Sequence, residues 1–253
     1  MGKRGICKYC GKETELIDAH IISKGFYKNY KEFTYKALYS DDGTWKQKQN
    51  GISDNNILCT NCDNKILGKF EKEGYRVLRE EVPKHAKHKS NPKGILYTLT
   101  GNDYDYSLLR KFFITILWRA SISNEKDFED INLGPYEDKA LEILKGTKEY
   151  NNLFRVMIYK IPEDSKLTQV VYMKRNRYYT TIYNIIMHGY EITIFVNYDK
   201  LPQYEKSLWD NIIFNEEHLY IGETQDVLKN NFLKILEIYK KWEKKKIYKG
   251  AKA

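Results

Sequence analysis

Two short motifs, Cys7-x2-Cys10 and Cys59-x2-Cys62, constrain this chain more than any other feature, because they contain all four of its cysteines. Each pair sets two thiols about one turn apart, and two such pairs supply the four donors of a closed tetrahedral zinc site. In a reducing compartment that reading is favoured over two disulfides. Four thiolates leave no coordination position for water or substrate, so the expected Zn2+ is structural. The 48 residues between Cys10 and Cys59 exceed the usual zinc-ribbon spacing, and a substructure must therefore be inserted between the two knuckles.

The chain has 253 residues, 42% of them apolar and 14% aromatic, enough to bury a core as one large domain or two small ones. No stretch approaches the ~20 apolar residues of a membrane span, and the basic start "MGKRGICKYC" has no apolar segment behind it. A cytoplasmic address and no membrane partner are expected. The formal charge of +9 is uneven: residues 1–100 carry 19 Lys and Arg against 12 Asp and Glu, and the remainder 24 against 22. The cation excess lies with the cysteines, which modestly favours a polyanion such as nucleic acid as partner.

Between the knuckles, "ELIDAHIISKGF" at 15–26 has the alternation of a short strand with Asp18 and His20 on one face. A lone histidine is more often an ordinary core or surface residue. The second knuckle sits within "SDNNILCTNCDNKILGKFE" at 53–71, with Asn55 and Asn56 just before Cys59, and Asp63 and Asn64 just after Cys62 where a helix begins. Lys24, Lys65 and Lys69 flank these motifs and are expected on a solvated face. "HAKHKSNPKG" at 85–94 combines two histidines, three lysines and a Pro-Gly break, and is expected to be an exposed linker rather than a metal site.

The ordered series "CKYC…DAHII…DNNILCTNCDNKILGK" resembles the HNH family of nucleases in its zinc-stapled form, in which a ββα unit stands on a two-knuckle zinc site. The resemblance covers roughly residues 5–80, about a third of the chain; each motif is short, and their order makes the match specific. It implies a metal-dependent endonuclease that hydrolyses phosphodiester bonds of DNA, with RNA an open alternative, and bacterial or phage defence as its setting. By the resemblance His20 is the catalytic base, Asn55 (or its neighbour Asn56) the orienting asparagine, and Asn64, with Asp63, the helix-borne ligand of a catalytic Mg2+ or Mn2+. The family commonly places Asp or His before the base as a second metal ligand, whereas this chain has Ala19. Asp18 or Asp63 is the expected substitute, and Glu71, two helical turns beyond Asn64, lies on the same face. The alternative is a degenerate site: a zinc-stapled protein that binds nucleic acid without cutting it.

The fold class expected is α+β: a zinc-bound ββα unit at 1–84, a linker at 85–102, and at 103–253 a second α+β domain for substrate recognition or partner binding, with oligomerisation open. Apolar residues at 104, 108, 109, 112, 113, 116, 117 and 120 repeat at helical spacing. Arg119, beside Trp118, is expected to snorkel out of that helix. "PYEDKALEILKG" predicts a short helix closed by Gly146. Four β-rich runs between 152 and 197 predict an antiparallel sheet, and Thr224 to Lys246 a long amphipathic helix with a basic C-terminal end. The "LWRAS" helix and the sheet are similar to the C-terminal part of HNH-like proteins with an "AHII" motif, without indicating chemistry there. The 22 tyrosines are read chiefly as strand formers.

Overall fold

Short strands rich in β-branched residues dominate the chain. A computed structural model describes residues 3–26, 36–38, 45–47, 51–91, 94–163, 165, 170–210 and 212–223; the predicted helix from Thr224 lies outside them. The strands are β1 (Lys3–Ile6), β2 (Glu13–His20), β3 (Lys36–Leu38), β4 (Trp45–Gln47), β5 (Ser53–Cys59), β6 (Lys87–Asn91), β7 (Gly94–Thr100), β8 (Leu153–Lys160), β9 (Val170–Arg177), β10 (Thr181–Met187), β11 (Tyr190–Asn197) and β12 (His218–Glu223). Among the described residues they form a three-stranded sheet, β1-β2-β5, and a nine-stranded sheet, β4-β3-β9-β10-β11-β8-β12-β7-β6. The fold is thus a mixed α+β one, as expected.

The small sheet is antiparallel, with an irregularity that matters for the site. Leu16 and Ile17 of β2 pair with Cys59 and Leu58, whereas Ala19 and His20 pair with Asp54 and Ser53. β5 therefore carries the surplus residues, a bulge around Asn55 and Asn56 that locally disrupts the ladder. From the end of β5 a helical rod runs without a break: a π-wound segment (Asn61–Leu67), α1 (Gly68–Arg76), a second π-wound segment (Val77–Glu81) and α2 (Val82–His85). The rod thus follows the last strand of a three-stranded antiparallel sheet.

The predicted core helix is α3 (Tyr106–Ile122), capped by Asp105, whose side chain accepts from the Leu108 amide. It packs against α1 on one side and β8 on the other, so apolar residues all round it are buried. Next comes α4 (Glu137–Lys145), ended as predicted by Gly146 in the left-handed conformation that glycine adopts without penalty. The four predicted strands are β8 to β11, every contact among them antiparallel. Val156, Ile158, Ile192 and Ile194 turn one face of this sheet to α3. Met157 and Phe195 turn the other to Tyr198, Leu201 and Ile213, near α5 (Gln203–Trp209).

Two features differ from expectation. Residues 85–102, read as a linker, contain the β6–β7 hairpin at one edge of the large sheet; its lysines and histidine are exposed, which is the edge-protecting composition that makes such a strand look like a loop in sequence. At the opposite edge, β3 and β4 come from the insertion between the knuckles, with β3 parallel to β9. Moreover, one apolar cluster runs from Cys7 to Ile221 across both halves of the chain.

Candidate functional site

The four cysteines converge. Cys7 follows β1, Cys59 ends β5 and Cys62 lies in the first π-wound segment; the Lys8 amide donates to the Ile57 carbonyl at 2.8 Å and ties the first knuckle to β5. All four Sγ atoms lie within 4.8 Å of one another, and the Cys59 amide donates to Cys7 Sγ at 3.4 Å. Burial pushes the Cys7 thiol up, but the N–H groups of Cys10, Cys59 and Tyr9 outweigh it and leave the thiol at about 7. Cys62 is driven well above its ordinary value by burial, by hydrogen bonds with Cys59 and Cys10, and by the neighbouring charge of Cys7. A cluster in which one thiolate is favoured and the next is opposed fits a divalent ion, which would accept all four as thiolates. Among the described residues this is the group of His, Cys and carboxylate side chains with metal-ligand geometry. His85 and His88 are exposed.

The second knuckle also fixes the start of the rod. Asp63 and Asn64 come directly after Cys62, and Glu71 lies further along on α1. His20 is the last residue of β2 and half-buried. A single guanidinium joins these elements: Arg119 of α3 donates through Nη1 to the His20 carbonyl at 2.9 Å and to Glu71 Oε1, and through Nη2 to Asp63 Oδ1 at 2.6 Å. Arg119 is buried rather than snorkelling to solvent, with 1% of its surface exposed. Burial raises the Asp63 carboxyl above its usual range; Arg119 and His20 pull it down, and Glu71 adds to the rise.

A cavity of about 360 Å³ opens beside the rod, lined among others by Ser23, Asp63, Asn64, Glu71, Tyr75 and Glu80. Of the residues singled out from sequence, Asp63, Asn64 and Glu71 therefore share one cavity, whereas His20 is not among its lining residues. Asp18 and Asn55 are exposed and outside its lining. Asn56 is turned instead to Asp54 Oδ1, to which its amide and its Nδ2 donate at 2.8 and 3.0 Å. Lys24, Lys65 and Lys69 are exposed, as a solvated face requires.

Sequence reasoning gave too little to two residues. Asp54 is 2% exposed and also accepts from Ser123 Oγ at 3.0 Å and the Asn124 amide at 2.9 Å. Burial alone would raise this carboxyl, but its donors outweigh that and hold it below the usual range. The other is Arg119, whose only signal was a charge inside an apolar helical stripe. No protein-family model, no curated protein and no solved structure matches this chain.

Proposed function

We propose that this chain is a metal-dependent endonuclease of the HNH type that hydrolyses phosphodiester bonds of DNA, and that its four cysteines hold a structural zinc ion. The observation that carries the reading is that one guanidinium reaches the His20 carbonyl, Asp63 and Glu71 at once, which ties the strand carrying His20 to the helical rod carrying the two acids. On this reading the imidazole of His20 takes a proton from the attacking water. Asp63 and Asn64, with Glu71 in place of the carboxylate that Ala19 lacks, hold a Mg2+ or Mn2+. When bound, that ion would neutralise charge on the scissile phosphate and the leaving oxygen. Bacterial or phage defence is the setting that fits such a nuclease.

A second reading, binding without cutting, is favoured by one observation: Arg119 already neutralises the two carboxylates that a catalytic ion would need. Incubation of the purified chain with supercoiled plasmid, with and without Mg2+ or Mn2+, decides between them. Metal-dependent nicking is expected, lost in His20→Ala with zinc content and DNA affinity retained. Nicking by His20→Ala at the wild-type rate would remove the histidine from the mechanism, and no nicking by the wild type in either metal would leave only the binding protein.

A further inference from the structure

Arg119 sits among apolar neighbours on α3 with its side chain 2% exposed, although a buried charge pays desolvation that a packed apolar side chain avoids. Its Nε is a buried donor with no acceptor among the described residues, which adds to that penalty. Packing therefore does not account for the residue. What the guanidinium provides is one positive charge between two acids: Asp63 and Glu71 each commit one carboxylate oxygen to it. Both acids line the cavity together with Asn64. Arg119 is not part of that lining, and the arginine that is, Arg76, is engaged by Glu73 and Glu81.

We propose that Arg119 is the resident counter-cation of a divalent-metal site formed by Asp63, Glu71 and Asn64. It neutralises the two acids while the site is unloaded, and a metal ion that enters competes with it for them. Metal binding and the docking of α3 on the zinc unit are thereby coupled. This inference rests on the reading of Asp63 and Asn64 as metal ligands and brings into that site a residue from the other half of the chain. The competition follows from Coulomb's law: a guanidinium and a divalent ion on the same carboxylates repel at close range, where burial keeps screening weak. Two roles then predict opposite signs. A purely structural arginine, when removed, loosens the acids and weakens metal binding; a counter-cation, when removed, strengthens it.

Mn2+ alone is the probe, added to the full-length, zinc-loaded chain and read by the spin-resonance signal of free Mn2+ and by the thermal midpoint. Arg119→Met is expected to bind Mn2+ at least about tenfold more tightly than wild type. Its midpoint should fall in metal-free buffer, where two acids lose their partner, and climb back as Mn2+ is added. Arg119→Lys, which keeps the charge, should stay within about threefold of wild type in affinity. Unchanged or weaker Mn2+ binding by Arg119→Met overturns the proposal. So does an Arg119→Met chain that remains unfolded in millimolar Mn2+, and so does a wild type that takes up no Mn2+. Plasmid nicking across the same Mn2+ series separates the two readings. Mn2+ uptake with the expected Arg119 response but without nicking keeps the counter-cation and removes the nuclease; metal-dependent nicking with no Arg119 response does the reverse.

Discussion

Glu191 shows how a single buried carboxyl can set the pH response of the large sheet. It lies on β11, 3% exposed; Oε1 accepts from Asn184 Nδ2 at 3.0 Å, and Oε2 has no partner among the described residues. Burial pushes the carboxyl from 4.5 up to about 7, against a smaller pull from Asn184. Between those two values the folded chain keeps a proton that the unfolded chain releases, so this group's contribution to stability is intact below 4.5 and declines as pH rises towards 7. Glu191→Gln has no proton to lose. It should match wild type near about pH 5 and exceed it at about pH 8 by up to about 3 kcal/mol, measured as urea-unfolding free energy; equal stability at both values would mean that the carboxyl is not desolvated in the folded chain. At this scale the sequence was legible where a motif fixes residues by adjacency: Cys62, Asp63 and Asn64 follow one another, so the clamp and the cavity come together. It was not legible at β5, where the bulge turns Asp54 inward and leaves Asn55 exposed. A run such as "SDNN" carries no sign of where the ladder slips, since register depends on the partner strand. Arg119 is the same case, because its partners lie 48 and 56 residues away in sequence.

Two elements govern how the cavity is held, the first π-wound segment and the crossing of α1 with α3. The π-wound segment contains Cys62, Asp63 and Asn64, so the ion proposed for the cysteines fixes the direction in which the rod leaves β5. Cys59→Ser should leave less than one zinc per chain by elemental analysis and lower the thermal midpoint, since structural zinc contributes several kcal/mol to folding; a variant with full zinc and an unchanged midpoint would separate the cysteines from the fold. At the crossing, Gly74 faces Phe112, and a methyl group placed on it would come within 2.3 Å of the Phe112 ring. Phe112 has little room to retreat, being fully buried and stacked on Phe26 at 5.2 Å between centroids. In a helix, alanine normally gains about 1 kcal/mol over glycine, whereas overpacking costs about 1–3 kcal/mol. The clash should win, and Gly74→Ala should lower the thermal midpoint; a raised midpoint would place the helices further apart. Periodicity gave α3 and α4 close to their observed bounds because their apolar stripes are long. It missed β3, β4 and β6, since strands of three residues and an exposed lysine-rich edge have too little pattern for a period of two to show.

The whole molecule answers whether residues 1–84 stand alone. Several contacts cross that boundary, and each leaves a buried group without its partner if the chain is cut there. Asp54 takes two donors from Ser123 and Asn124, Glu73 takes the Asp105 amide at 2.7 Å, and Asp63 and Glu71 depend on Arg119. Tyrosines, read from sequence as strand formers, also work as crosslinks. Tyr190 donates to the Leu78 carbonyl at 2.9 Å and Tyr9 to the Leu144 carbonyl at 3.3 Å. Leu78, Val77 and Phe26, all fully buried, belong to the same apolar cluster as Phe112 and Ile192. An unpartnered buried polar group costs about 1–3 kcal/mol and a lost large apolar contact a similar amount, against a net stability of only about 5–15 kcal/mol for a typical domain. Four carboxylates stripped of donors and an exposed apolar face therefore exceed what one zinc site restores. A fragment ending at residue 84 should bind zinc through its cysteines yet show no cooperative thermal transition and no metal-dependent nicking, while the full chain melts in one calorimetric transition. A fragment that melts cooperatively and nicks plasmid would show instead that residues 1–84 are self-sufficient and that α3 serves them only as a docking partner.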